Sequence, residues 1–229
     1  MPRSTWPALT VIALGGNAAP AVFFPLAQQR VESSVAGMLN SMGPILVLLI
    51  SIALIRKAPE RGQVLGLLIG LSGALTIAYA NLSGADAEPL GVFFVLCAVL
   101  GYSISNNLLP PLAQTYGGAA VVARAMVLSA VVLAPWGLWG VTQSAFAWKS
   151  AIALLILGVF GTGIARSLFA SLNGRIGAPR SSLVGYLVPL VAITLGVVVR
   201  GETVGLPELL GTALILCGAW LISRSRRDT

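Results

Sequence analysis

Histidine is absent from this 229-residue chain, and charged side chains make up only 9% of it. The missing histidines remove the commonest general base and the commonest metal ligand, so we expect neither an enzyme nor a metal site. A soluble domain carries about 25% charged residues to solvate its surface. With so few charges, most of the outer surface must face lipid, and the sequence therefore predicts a membrane protein.

Cysteine is also scarce, and the basic charge is scattered. Cys97 and Cys217 lie in separate apolar runs, which favours two small buried side chains over a disulfide. The net charge of +7 does not indicate nucleic-acid binding, because the sequence contains no basic stripe with interleaved aromatic residues. The sequence also lacks a phosphate-binding loop and an ATP-binding signature, so we expect no cofactor and no hydrolysis of ATP by this chain.

Long apolar segments dominate what is present, with 57% hydrophobic residues and a mean hydropathy of +0.92. Eight segments each supply the ~20 residues that cross a bilayer core. They must be helices, because lipid offers no partners to backbone N–H and C=O groups. The predicted fold class is therefore all-α, a polytopic bundle of eight transmembrane helices. The segments are Trp6–Pro25, Ser33–Ile55, Gln63–Asn81, Pro89–Leu109, Val121–Val141, Ser150–Leu172, Ser181–Arg200 and Leu206–Ser223.

The basic residues predict the orientation, since Lys and Arg collect in cytoplasmic loops. Ten of the 14 lie on the side of the N terminus, whereas Arg30, Lys149 and Arg200 lie on the opposite side. The remaining one, Arg166, is inside a segment. We therefore expect a multi-pass protein of the inner (plasma) membrane with both termini in the cytoplasm.

An internal repeat organises the segments. A shift of 145 residues aligns Pro44 with Pro189, Gly66 with Gly211 and Gly73 with Gly218, with 10 identities from Gly16 to Ile77. Five helices separate each helix from its copy, and this odd number makes the two copies cross the bilayer in opposite directions. We predict one transmembrane domain over residues 1–229, with an incomplete first repeat at 8–80 and a second repeat at 81–225, arranged as an inverted repeat.

Two blocks of sequence carry a family resemblance. They are AQQRVESSVAGMLNSMGP at Ala27–Pro44, followed by Gly66 and Gly73, and LNGRIGAPRSSLVGYLVPLVAITLGVVVRGE at Leu172–Glu202, followed by Gly211 and Gly218. Together they resemble the paired blocks of EamA-type transporters in the drug/metabolite transporter (DMT) superfamily. The resemblance implies ten helices in two five-helix repeats. Because the first copy begins almost at Met1, we expect the first two helices of that pattern to be missing.

Polar residues at membrane depth are the candidates for substrate binding. Arg166 lies nine residues before Arg175, about 13 Å deeper at 1.5 Å per residue. It either binds a carbonyl, carboxylate or anionic substrate at that depth or snorkels along its apolar stem to the cytoplasmic interface. Tyr102, Ser105 and Asn106 form a stripe at i, i+3 and i+4. This stripe either lines a pathway or bonds to neighbouring helices.

Two prolines predict helix kinks. Pro44 has no N–H to donate, so the carbonyl of Asn40, four residues earlier, loses its helical partner. Tyr186 and Pro189 occupy the related place in the second copy. Asn40 and Tyr186 are therefore candidate substrate-binding residues, the alternative being that both kinks are purely structural.

These patterns predict a secondary transporter, an exporter or permease of small organic metabolites, amino acid-like solutes or drugs that works by alternating access. Asn17 and Thr162, which the repeat pairs, are further candidates for its site. The expected partners are the lipid bilayer and a small-molecule substrate, with a second copy of the chain as a candidate and no nucleic acid. The missing helix pair motivates a competing hypothesis, a truncated or scaffolding membrane protein without transport activity.

Overall fold

The computed structural model describes residues 1–31, 36, 39–40, 42–55, 60–80, 88–143, 146–185, 187, 191, 194, 198 and 205–224. Helices fill most of this part of the chain, so the predicted all-α class is confirmed there. The longer helices are α1 (Arg3–Gln28), α2 (Gly43–Ile55), α3 (Arg61–Ala80), α4 (Pro89–Tyr116), α5 (Gly118–Thr142), α6 (Trp148–Ile176) and α7 (Leu206–Arg224).

Four of these helices, α1, α4, α5 and α6, are long and apolar enough to cross a membrane. Shorter apolar stretches occur at Gly43–Leu54 and Leu209–Ile222. The predicted segments agree with α1 and with α3 to α7, except that α4 continues past Leu109 to Tyr116. The segment Ser33–Ile55 is represented mainly by α2, and most of Ser181–Arg200 lies outside the described residues.

Glycines bring α3 and α7 into backbone contact. A Cβ added at Gly66 would lie 2.6 Å from the carbonyl oxygen of Gly218, and one at Gly73 would lie 2.5 Å from that of Gly211. Moving seven residues forward along α3 thus means moving seven residues backward along α7, so the helices are antiparallel. Small residues allow such close approach in membranes, where packing rather than hydrophobicity holds helices together.

A second contact zone joins α1, α4, α5 and α6. Its buried side chains are Leu9, Ile12, Ala13, Leu109, Leu112, Ala113, Val121, Val122, Ala125 and Ala170. The many alanines keep the four helices close. By contrast, large apolar side chains such as Leu138 on α5 and Leu154 on α6 are 68% exposed. Exposure of this kind is expected for a surface that lipid covers.

Prolines are placed differently from the prediction. Pro44 lies in the first turn of α2, where a missing N–H removes no helical hydrogen bond, rather than in the middle of the described helix. Pro189 lies outside the described residues. Pro110 and Pro111 of α4 lie inside a helix near the contact zone, as does Pro20 of α1. Because Pro110 has no N–H, the carbonyl that loses its helical partner is that of Asn106.

Candidate functional site

Arg166 lies near the middle of α6 and turns toward α1 and α4. One guanidinium nitrogen, Nη1, donates to the carbonyl oxygen of Gly16 on α1. The other, Nη2, donates to the hydroxyl of Tyr102 on α4 at 3.0 Å, and Cζ lies 5.2 Å from the centre of that tyrosine ring. The half-buried side chain therefore bonds to neighbouring helices at its own depth, as the first of the two sequence hypotheses for Arg166 expects.

A π-helical segment in α1, Leu14–Ala18, receives Arg166. Side chains from three helices donate to carbonyl oxygens in or just before this segment. Ser105 of α4 reaches Val11 O at 3.4 Å, Ser129 of α5 reaches Ala13 O at 2.8 Å, and Arg166 of α6 reaches Gly16 O. A π turn interrupts the regular i→i−4 ladder and is often found at functional sites. Here it is the point where four helices are joined.

Glycine makes this junction tight. A Cβ added at Gly101 would lie 2.6 Å from the carbonyl oxygen of Gly15, so α1 and α4 touch through their backbones. Tyr102, the next residue of α4 after Gly101, reaches Arg166. Only a residue without a side chain fits at Gly101, and this contact brings the polar stripe of α4 against the π segment.

The four helices line a half-open cavity of about 40 Å³. Its lining includes Ile12, Gly16, Asn17, Tyr102, Ser105, Asn106, Leu109, Val122, Ala125, Arg166 and Phe169. A water needs roughly 10–15 Å³ measured in this way, so the cavity is large enough for water. The sequence candidates Arg166, Tyr102, Ser105, Asn106 and Asn17 are therefore brought together.

The polar residues of α4 take both roles that the sequence leaves open, because some line the cavity and others bond to neighbouring helices. Tyr102 and Asn106 line the cavity, whereas Asn107 donates to Val47 O of α2 at 3.0 Å and to Ser103 O at 2.9 Å. Asn107 thus holds two helices together. Ser105 does both, because it lines the cavity and bonds to α1.

Asn173 is a site-supporting residue that the sequence analysis misses. Its fully buried side chain donates from Nδ2 to the carbonyl oxygen of Asn106 at 2.9 Å. That carbonyl is the one freed by Pro110, so Asn173 supplies the partner that the proline removes. The spacing of Arg166, Phe169 and Asn173, at i, i+3 and i+7, places them on one helix face and is the signal that could have found it.

The other predicted residues lie elsewhere. Asn40 is half-buried and is not among the residues that line the cavity. Thr162 is exposed on a second π-helical segment, Leu157–Ile164 of α6. Tyr186 lies outside the described residues, so its predicted role remains a prediction.

Aromatic and charged contacts join the C-terminal end of α1 to the start of α4. The rings of Phe24 and Tyr102 are 6.1 Å apart, and those of Phe23 and Phe94 are stacked at 5.8 Å. The guanidinium of Arg30 lies 5.8 Å from the Phe94 ring centre, and its Nε is 3.8 Å from the Glu88 carboxylate. These contacts therefore hold this end of the α1–α4 pair together beyond the Arg166–Tyr102 contact.

Known proteins resemble the chain along almost its whole length. An uncharacterized transporter of Archaeoglobus fulgidus is 25% identical over 221 residues, covering 94% of this chain and 78% of that protein. A probable terminal-alkyne amino-acid exporter of Streptantibioticus cattleyicolor is 26% identical over 219 residues, covering 95% and 73%. A probable amino-acid metabolite efflux pump of Salmonella typhimurium is 24% identical over 172 residues, covering 71% and 58%.

A solved crystal structure has the same fold. It superposes with a TM-score of 0.80 at 20% sequence identity, and the match covers 98% of this chain and 78% of that one. The model of the EamA-like transporter family matches residues 1–79 and 89–224. The chain therefore belongs to the EamA-like transporter family, and it is an integral membrane protein with a transporter role.

Proposed function

We propose that the protein is a secondary transporter that exports small organic solutes, foremost amino acids and amino acid-like metabolites, by alternating access. The observation that carries this proposal is the convergence of Arg166, Tyr102 and Asn106 on one cavity at the junction of four helices. Such a site offers charge, hydrogen-bond donors and acceptors, and an apolar wall within a few ångströms. Two relatives are named as an amino-acid exporter and an amino-acid metabolite efflux pump, which supports the substrate class.

Two inverted halves, at residues 8–80 and 81–225, would carry the motion. The contact between α3 and α7 supports this arrangement, because Gly66 meets the repeat equivalent of Gly73, and Gly73 meets the repeat equivalent of Gly66. A two-fold axis in the membrane plane produces this reciprocal pairing of the two glycine positions. The two π segments also fall at related places, since the shift of 145 residues carries Leu14–Ala18 into Leu157–Ile164.

The described conformation would be a closed one. The ~40 Å³ cavity is smaller than the roughly 300 Å³ or more of a typical small-molecule site. With eight spans and cytoplasmic termini, the contacts of Arg30, Glu88 and Phe94 lie at the outer face. Substrate release would then require the C-terminal end of α1 to separate from the start of α4 there.

Transport by the purified protein tests this proposal. The protein is reconstituted into liposomes that are loaded with each of the twenty amino acids in turn, and uptake of the same labelled amino acid is measured. We expect uptake above protein-free liposomes for at least one apolar amino acid. Absence of uptake for the whole set would overturn the proposed substrate class.

Neighbouring asparagines provide a matched pair of variants. Asn106→Ala removes an amide that lines the cavity, so we expect the KM to rise about 3- to 10-fold, the equivalent of one hydrogen bond. Asn107→Ala removes the bonds to Val47 and Ser103, so we expect a lower melting temperature with an unchanged KM. Uptake kinetics and thermal unfolding of both variants check this. A raised KM for Asn107→Ala together with an unchanged KM for Asn106→Ala would place the substrate on the other face of α4.

A further inference from the structure

Among the described residues, the hydrogen-bond partners of the Arg166 cation are neutral. A guanidinium has five N–H donors, and the two hydrogen bonds of Arg166 go to the Gly16 carbonyl and the Tyr102 hydroxyl. The ion pair between Arg30 and Glu88 lies far along α1 and α4 from this site. Arg166 therefore keeps donors and an uncompensated positive charge beside the cavity.

The sequence offers no carboxylate at the depth of Arg166. All seven Asp and Glu residues lie between the apolar segments, after the last segment or within the first three residues of one. A charge in the membrane interior is costly and is normally paired. A carboxylate on a molecule that enters the cavity would supply the counter-charge that the described helices do not place beside Arg166.

We infer that this molecule is a transported solute with a carboxylate, and that the protein works as an obligatory exchanger of such solutes. The inference rests on the proposed transport function. When the carboxylate pairs with Arg166, the occluded site is neutral. When the site is empty, the change between inward- and outward-facing states must bury an unpaired guanidinium. The empty carrier is therefore slow to reorient, and each outward step is followed by the return of another carboxylate.

The other residues that line the cavity indicate the chemistry of the remainder of the solute. Ile12, Leu109 and Phe169 give the cavity an apolar lining beside Arg166, while Asn17 and Asn106 offer amide groups. An apolar amino acid fits this pattern, with its carboxylate at Arg166 and its side chain against the apolar lining. A guanidinium matches a carboxylate in a two-point hydrogen-bonded geometry, which strengthens the preference for this group.

The test uses the wild-type protein in liposomes and three probes, L-leucine, L-methionine and L-phenylalanine. Uptake of each labelled probe is compared between vesicles that contain the same unlabelled amino acid and vesicles that contain only HEPES buffer. We expect uptake to be at least about tenfold faster into the loaded vesicles, since burying the unpaired charge slows the empty carrier.

Matched competitors separate the carboxylate from the rest of the ligand. L-leucinamide keeps the shape and the amine of leucine but lacks the anion, whereas 4-methylpentanoate keeps the anion but lacks the amine. We expect 4-methylpentanoate to inhibit leucine uptake and leucinamide to inhibit it at least about tenfold more weakly, as loss of a charged hydrogen-bond partner predicts.

Each outcome decides a different point. Equal uptake into loaded and HEPES-containing vesicles would overturn the exchange mechanism, and equal inhibition by leucinamide would overturn the carboxylate at Arg166. Both results leave the proposed transport function standing. If none of the three probes enters loaded vesicles while another amino acid of the full set does, the apolar substrate class is overturned. If no amino acid enters, the proposed function fails together with this inference.

Discussion

Gly218→Leu is expected to prevent α3 and α7 from packing. The new side chain would start at a Cβ that clashes with the carbonyl oxygen of Gly66 and lies 2.6 Å from the amide nitrogen of Gly70. Both obstacles are backbone atoms of a helix, so they cannot rotate away and α3 and α7 must separate. Overpacking of this kind costs about 3 kcal/mol. We expect a lower melting temperature and loss of the monodisperse peak in detergent size-exclusion chromatography.

Gly137→Leu is the matched control for this substitution. Gly137 also lies within a membrane-spanning helix, α5, but a Cβ added there meets nothing within 4 Å. Leucine favours helix over glycine, so this variant should be at least as stable as the wild type. Equal melting temperatures of the two leucine variants would show that α3 and α7 do not pack through Gly218.

Arg166→Ala is expected to lower transport about 10- to 100-fold, the range for loss of charged hydrogen bonds at a binding site. The substitution removes the bond to Gly16, the bond to Tyr102 and the cation beside the cavity. Arg166→Lys retains the charge without the planar fork and should recover only a small part of the activity. Initial uptake rates, normalised to the amount of monodisperse protein, measure both effects.

Arg124→Ala controls for loss of an arginine. Arg124 is exposed on α5 and donates to Ala120 O within its own helix. Its removal should leave the uptake rate within about twofold of wild type, because exposed charges contribute little. Full uptake by Arg166→Ala would contradict the site assignment, whereas equal losses in both arginine variants would point to a general effect of charge on insertion.

Much of the helical organisation follows from composition alone. The length and apolarity of the segments predict α1 and α3 to α7, because lipid permits few alternatives to a helix. Arg166, Tyr102 and Asn106 are also predictable as a site, since polar groups at membrane depth must find partners. Their chain positions do not reveal which helices supply those partners, and Gly16 O enters only because α1 and α6 both pack against α4 and α5.

A proline inside a helix frees the carbonyl four residues earlier. The sequence predicts such a carbonyl at Asn40, four residues before Pro44, whereas α2 begins at Gly43. The structure has one at Asn106, four residues before Pro110, with Asn173 as its new partner. Composition does not show whether a proline lies in the first turn or the middle of a helix, because that depends on where the helix begins. The contact of the α1 π segment with α4 is equally hidden, since it depends on Gly15 and Gly101 bringing two backbones together.

The glycine contact between α3 and α7 has a consequence for how such a chain can change over time. Because Gly66 meets Gly218 and Gly73 meets Gly211, the proposed inverted halves would share an isologous surface, on which one face fits an inverted copy of itself. A separate half-length chain with this face would already be able to pair with a second, oppositely inserted copy. Fusing two such copies into one chain would need no new interface. Afterwards, a substitution on one face would have to be matched by a complementary substitution on the other.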